Sequence, residues 1–449
     1  MSAADDLGRH RATPPSDDGT TVVEKIIEAA WIVWLVLLPI GHATGAHNAL
    51  ALLVPLAVFG LTRGRALASL PALPWLVALA SLASLSLLWS QEAQISAAKL
   101  RSDLLLPLIG FAGAYMWSLR YGARPLFIGY AGGLLFLAAM SAAALLSPDA
   151  PLHLQIAGSA ITGGEAFPYR YPGTGDASTY AVLVLAPLIS WRMLKGHWRD
   201  ATSTLLALAA VLVIFVSKNR NAVLCFPIAV AVFALLWQFR GGQEVKEVSG
   251  RSKRAALLGL VTLLCVVVGL ATIEKASQAR LAEVGQEVPF GRAALLLVSV
   301  DPRPAMWREY IHLGSEHPFF GVGFGRTVPA ATYHIKEDPV MQAAVASGFE
   351  HAHDVFLNWW LQLGWCGVLL YVGAFGAIAR SAWRAIRSGG PAAICGIGIM
   401  TVLAAMLVRN LTDDFLVYGI ASSFWLAMGG LLGLADRYRA TSLPLQVPD

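Results

Sequence analysis

Two histidines stand two residues apart in Glu350-His351-Ala352-His353-Asp354, where a polar segment gives way to an apolar run. A neutral imidazole takes up a proton near neutral pH, so His353 is placed to deprotonate a hydroxyl, with His351 beside it to position an acceptor. The plain alternative is a histidine that caps or packs at a helix end. A metal site is a third reading, but i, i+2 spacing does not put two imidazoles on one helix face, and no metal is expected. Arg220 lies in Ser217-Lys218-Asn219-Arg220-Asn221, a very short turn between two apolar runs. The turn holds Lys218 and Arg220 near membrane depth, where ionisable groups are costly and commonly functional; snorkelling to headgroups is the alternative. The planar fork of arginine suits phosphate oxygens. Arg303 and Arg308, on a segment that reads as a helix, are candidates for a second phosphate clamp or for a solvated face. Asp413 and Asp414 follow Arg409-Asn410 at the start of the last apolar run, where they could orient a histidine or pair with an arginine.

The elements that must position these residues are membrane helices. The 449 residues are 56% hydrophobic and 14% charged, against about 25% charged in soluble domains. Apolar runs of roughly 17–25 residues read as spanning helices. They fall at 25–41, 48–62, 72–89, 103–119, 125–147, 177–194, 201–216, 220–239, 255–273, 353–378, 391–409 and 413–436. The expectation is an all-α polytopic membrane protein with about 12 transmembrane helices and one large periplasmic loop containing helices. A soluble core would need polar faces at helical spacing, and windows such as 204–216 have almost none. The chain then divides into a disordered inner tail (1–22), nine spans (23–272), the loop (273–352), three spans (353–436) and a second inner tail (437–449). Every short inner loop is basic on this reading, which puts the N-terminus inside and the 273–352 loop outside. No small-residue cleavage site follows the first run, so no cleaved signal peptide is expected. The four cysteines fit neither a zinc site nor a disulfide framework. The net charge of +5 is explained by the inner loops and does not indicate nucleic acid.

Between the apolar runs, residues 90–103 suggest an amphipathic outer segment, and residues 148–176 a second outer loop with a turn-rich stretch at 169–176. In the large loop, Asp301-Pro302 is a good helix start. That helix should run to about Glu316 and stop at His317-Pro318, with Arg303, Trp307 and Ile311 on one face and Arg308, His312 and Ser315 on another. The glycine-punctuated run Phe319–Arg326 suits a membrane surface or a cavity wall. It is not a dinucleotide fingerprint, because no βαβ unit surrounds it.

Several of these residues carry a family resemblance. Arg220-Asn221-Ala222-Val223-Leu224 matches an R-x3-L pattern. His353-Asp354, nine residues, then Gly364-Trp365-Cys366-Gly367 resembles H-[N/S/Q]-x9-G-x2-G. Arg303…Trp307…His317–Gly325 is similar to a shared segment of the same group. The chain thus resembles the O-antigen ligases of Gram-negative lipopolysaccharide synthesis, of a superfamily shared with O-antigen polymerases. The resemblance implies an inner-membrane glycosyltransferase whose donor is a glycan on undecaprenyl pyrophosphate and whose acceptor is lipid A–core. It implies inversion at the anomeric centre and no metal or nucleotide cofactor. His353 would be the base, with Arg220 and Arg303 on the pyrophosphate. Lys218, Arg308, His351, Asp354 and Asp414 would assist substrate binding. Asp354 departs from the pattern, and an acidic neighbour there would raise the pKa of His353. A polymerase with the same donor is the nearest alternative. A secondary transporter for an organic anion is a more distant one, since no inverted repeat is found.

Overall fold

The structure is a computed structural model. It describes most of residues 21–146, residues 154–156 and 159–161, and most of 174–239. It further describes isolated positions between 271 and 292, most of 303–338, four positions within 341–350, and nearly all of 351–442. Helix α1 (Val22–Leu37) opens on a capping box in which Thr21 and Glu24 satisfy each other's backbone N–H groups. There follow α2 (Thr44–Thr62), α3 (Leu73–Leu85) and α4 (Ala93–Lys99). A π-helical turn at Leu100–Leu105 joins α4 to α5 (Leu106–Tyr121), so the expected amphipathic segment is the first part of one continuous helix. After α6 (Arg124–Leu146), two three-residue strands, β1 (Leu154–Ile156) and β2 (Ser159–Ile161), form an antiparallel hairpin. It is a small addition to an otherwise helical chain. Then come α7 (Thr174–Leu194), α8 (Ala201–Val216) and α9 (Arg220–Phe239).

Every predicted apolar run overlaps a described helix except 255–273, of which only position 271 is described, and residues 1–20 lie outside the described residues. Eight helices are long and apolar enough to cross a membrane, counting Ala93–Tyr121 as one. Three further apolar helices are shorter: α1, α8 and Leu73–Leu88. The expected count of about twelve is therefore not reached among the described residues.

The bundle packs closely where side chains are small. A Cβ on Gly429 or Gly433 would lie 2.3 Å from the carbonyl oxygens of Phe111 and Tyr115. These two glycines let the last helix, α14 (Tyr418–Ser442), run against α5 backbone to backbone.

The loop before His351 carries its own small core. Helix α10 (Arg303–Gly314) and the short α11 (Val328–Thr332) bury Met306, Tyr310 and Ala330, with Ile335, Met341, Ala352 and Leu361 completing the cluster. The buried stripe of α10 is Met306, Tyr310 and Gly314. Ile311, expected beside Arg303, is exposed. Helix α12 (Val355–Ser388) breaks at Gly364, whose φ of +63° suits glycine. A Cβ there would lie 2.0 Å from the Phe319 carbonyl carbon. The carbonyls freed by the break are used by the glycine-rich run, Val322 N donating to Leu361 O and Gly323 N to Gln362 O, while Gly325 N donates to the Gln362 side chain at Oε1. The glycine pattern is thus a backbone joint between the loop and the bundle. The fold is completed by α13 (Gly390–Asn410), which packs on α7, α9 and α12.

Candidate active site

Asp354 caps α12, accepting from Leu357 N at 2.8 Å. That role makes His353 the residue just outside the helix rather than its first residue. His353 has φ of +49°, sparsely populated for a residue with a Cβ and commonly held at functional sites by surrounding packing. The residue before it supplies the hold. Ala352 is buried; its N–H donates to Asn358 Oδ1 and its carbonyl accepts from Trp307 Nε1 at 2.6 Å. Helices α10 and α12 therefore grip one peptide between them and present the flanking histidines.

The two imidazoles stack, with centroids 3.8 Å apart. His351 Nδ1 accepts from the backbone N–H of His353 at 3.2 Å and faces Asn358 Nδ2 at 3.4 Å. Burial, with His353 and Arg326 adding to it, drives the His351 pKa well below 6.5 against the opposing pull of Asp413. His351 is thus a neutral ring with its proton on Nε2, 3.8 Å from Asp413 Oδ1. His353 Nδ1 lies closer to the same oxygen, at 2.8 Å. Burial pushes Asp413 upward, but the His353 hydrogen bond, the two histidines and the Asp414 N–H outweigh it and hold Asp413 at about 2. Asp414 behaves oppositely. Burial raises it to about 6, with Asp413 adding to the rise while Arg326, Asn358 and the Leu416 N–H restrain it. Its Oδ2 accepts from Asn358 Nδ2 at 3.1 Å, and its carbonyl accepts from Arg326 Nη1 at 3.1 Å.

Around this core lie more charges. Asp176 at the start of α7 is within electrostatic reach of Arg326, Arg409 and Asp413. Arg303, half-buried at the first turn of α10, is within reach of Arg409. Cys225 of α9 also senses Arg409. Arg220 opens that helix five residues earlier, about 7.5 Å along its axis. The side chains of Arg220 and Lys218 lie outside the described residues.

Among the expected site residues, then, His351, His353 and Asp414 come together, with Arg303 close by. Arg308 does not join them: it is exposed and bonds the Pro304 carbonyl of its own helix. Asp354 is used as a cap, so the acid on His353 is Asp413, from a different helix connection. Asp413, Arg326, Asn358 and Arg409 complete the cluster. The pair Arg409-Asn410 before two aspartates at the end of an apolar helix was the available signal for Arg409. Arg326 and Asn358 had none, since neither lies in a pattern that distinguishes it from packing. The spacing argument against metal also changes, because the histidines sit outside the helix and stack. His351, His353 and Asp413 offer three ligand atoms within 4.8 Å of one another. A separate apolar cleft of about 570 Å³ runs past Leu82, Trp89, Phe319 and Phe320 and contains none of these residues.

Residues 205–372 match a family model described as O-antigen ligase. The matched stretch runs from α8 into the first half of α12 and takes in Arg220, Arg303, both histidines and the Gly364 joint. Over this stretch the chain is similar to the O-antigen ligase family. Asp413, Asp414 and Arg409 lie beyond the matched stretch, so the pairing of Asp413 with His353 comes from tertiary structure alone. No curated protein matches the chain. This similarity and the many apolar helices indicate a multi-pass membrane protein of the ligase/polymerase type.

Proposed function

We propose that this chain moves a glycan from undecaprenyl pyrophosphate to a sugar hydroxyl of lipid A–core, with His353 as general base. The observation that carries the reading is the 2.8 Å approach of His353 Nδ1 to Asp413 Oδ1, in a cluster ringed by arginines. With Nδ1–H donated to the carboxylate, the imidazole lone pair is on Nε2. Nε2 takes the proton of the acceptor hydroxyl as its oxygen attacks the anomeric carbon. The bond from that carbon to the pyrophosphate oxygen breaks, and the electron pair leaves with the pyrophosphate. Attack opposite the leaving group inverts the centre. Asp413, ionised at any physiological pH, stabilises the imidazolium that forms. Arg303 and Arg220 stabilise the charge growing on the leaving group; losing one such donor costs about 3–4 kcal/mol of barrier. The basic short loops support an inner-membrane orientation with this site toward the periplasm, where both lipid-borne substrates would meet.

Purified full-length protein should join the lipid-linked glycan to lipid A–core in the presence of a chelator. His353→Ala and Arg303→Ala should keep the wild-type melting profile and lose transfer by about 10²-fold or more. Normal transfer by both variants sinks the assignment. In cells, deletion that strips all O-antigen from core while chains persist on the carrier means ligase; a single repeat unit left on core means polymerase. A metal reading has its own observation in the 4.8 Å grouping of His351, His353 and Asp413. Transfer abolished by chelator and restored by a divalent ion would give those three residues to the metal instead.

A further inference from the structure

Arg409 is 1% exposed, among the largest fully buried side chains. It lies in the last turn of α13. Its Nε donates to Thr179 Oγ1 of α7 at 3.0 Å, and its guanidinium lies over the Phe415 ring at 3.5 Å. Those contacts fix the plane of the fork. They leave Nη2 buried with no hydrogen-bond partner, and the side chain forms no ion pair among the described residues. A buried cation without a counter-ion is strongly unfavourable, and buried donors are nearly always satisfied. Two carboxylates, Asp176 and Asp413, act on Arg409 only at longer range, while Arg303 repels it. Asp413 is already committed to His353. A second like-charged group held nearby worsens the balance unless an anion enters between them.

The geometry points to Arg409 as a ligand for the phosphate oxygens of a lipid-linked diphosphate, bound from the membrane side while Arg303 approaches from the loop. This rests on the donor assigned under Proposed function. The fork presents paired N–H groups that match two oxygens of one phosphate. Thr179 and Phe415 set its orientation before substrate arrives, so little is lost to ordering on binding. Two arginines from different elements suit two linked phosphates better than one, which makes discrimination between diphosphate and monophosphate the expected property of the pair. Lysine would keep the charge but lose both the fork and the Thr179 contact.

The test uses the full chain in nanodiscs and two probes, undecaprenyl pyrophosphate and undecaprenyl monophosphate. Wild-type protein should prefer the diphosphate by about tenfold or more, the scale of one charge-assisted hydrogen-bonding group. Arg409→Met, of similar length and apolar, should bind the two equally and raise KM for the donor without changing KM for the acceptor. A wild-type protein with no preference overturns the donor assignment itself. A wild-type preference that Arg409→Met retains in full overturns this inference and leaves that assignment standing. If Arg409→Met does not fold, Arg409→Lys decides. Diphosphate binding about tenfold weaker supports the proposal, and unchanged binding refutes it.

Discussion

The two ends of the helix bundle handle charge in opposite ways. At the end away from the histidines, charged groups find partners close by. Arg192 pairs with Asp200, which also caps α8; Arg439 pairs with Asp436; and Tyr115 Oη donates to Asp436 at 2.8 Å. Arg437 donates to the Arg120 carbonyl at 3.0 Å. These contacts are either local in sequence or join α5 to α14, and they look like the satisfied fringe of a membrane bundle. At the histidine end, Arg409 is buried with a donor that has no partner among the described residues, His353 has a positive φ, and two adjacent aspartates are pushed in opposite directions. The contrast concerns charge and not every polar atom: away from the histidines Trp117 Nε1, Ser118 Oγ and Ser190 Oγ also lack partners among the described residues, and Arg63 also has a positive φ. Strain and unmet hydrogen-bonding capacity persist where the surrounding fold over-determines them, and such places are where substrate is expected to complete the structure.

The largest effect should come from the joint that holds the histidine end together. Gly364→Ala puts a methyl group into the Phe319 carbonyl and should abolish folded, monodisperse protein by size-exclusion chromatography. Gly376→Ala, in the same helix with open space around it, should not. Equal behaviour of the two would break the claim that backbone packing positions the site. Next, Asp413→Asn should lower kcat by about 10²-fold or more, because the imidazole loses its orienting carboxylate and tautomer, with little change in thermal midpoint. A large loss of stability without a loss of kcat per folded molecule would make the histidine end as structural as the other.

The opposite end should give the reverse pattern. Asp436→Ala removes a partner of buried Tyr115 and should cost about 1 kcal/mol of stability, with transfer per folded molecule unchanged. A specific loss of transfer would erase the distinction between the ends. The smallest effect concerns Asp414, raised from 3.8 to about 6. Between those values the folded state binds more protons than the unfolded one, so this group's contribution favours folding at low pH and is lost as pH rises through 6. Asp414→Asn should therefore gain stability relative to wild type as pH goes from about 4 to 6, read as a narrowing or reversal of the difference in thermal midpoint. A difference that is flat with pH would show that Asp414 titrates like an exposed carboxylate.

Much of the site's framework was legible along the chain. Apolar runs of spanning length mark the bundle helices; Asp301-Pro302 marks a helix start just before the observed opening at Arg303; the glycine-punctuated run Phe319–Arg326 marks an irregular apolar segment. What was misread followed from local reasoning about a non-local fact. Asp354 reads as an acidic neighbour of His353 that assists substrate binding, whereas its carboxylate is turned back into its own helix as a cap. Along the chain Arg308 is open between a phosphate clamp and a solvated face, and the buried stripe through Met306, Tyr310 and Gly314 turns it to the surface.

By itself the sequence determined the apolar helices, the helix start near Arg303 and the presence of histidines and arginines at one polar boundary. Each of these depends on hydropathy, φ/ψ preference or hydrogen bonding within a few residues, which composition and spacing encode directly. Only the tertiary structure decided that Asp413 holds His353, that Asn358 ties His351 to Asp414, and that Arg409 stands buried with a donor unspent. Those pairings depend on how α7, α12 and α13 are rotated against one another, and helix rotation is set by the summed packing of many side chains. No single motif records it.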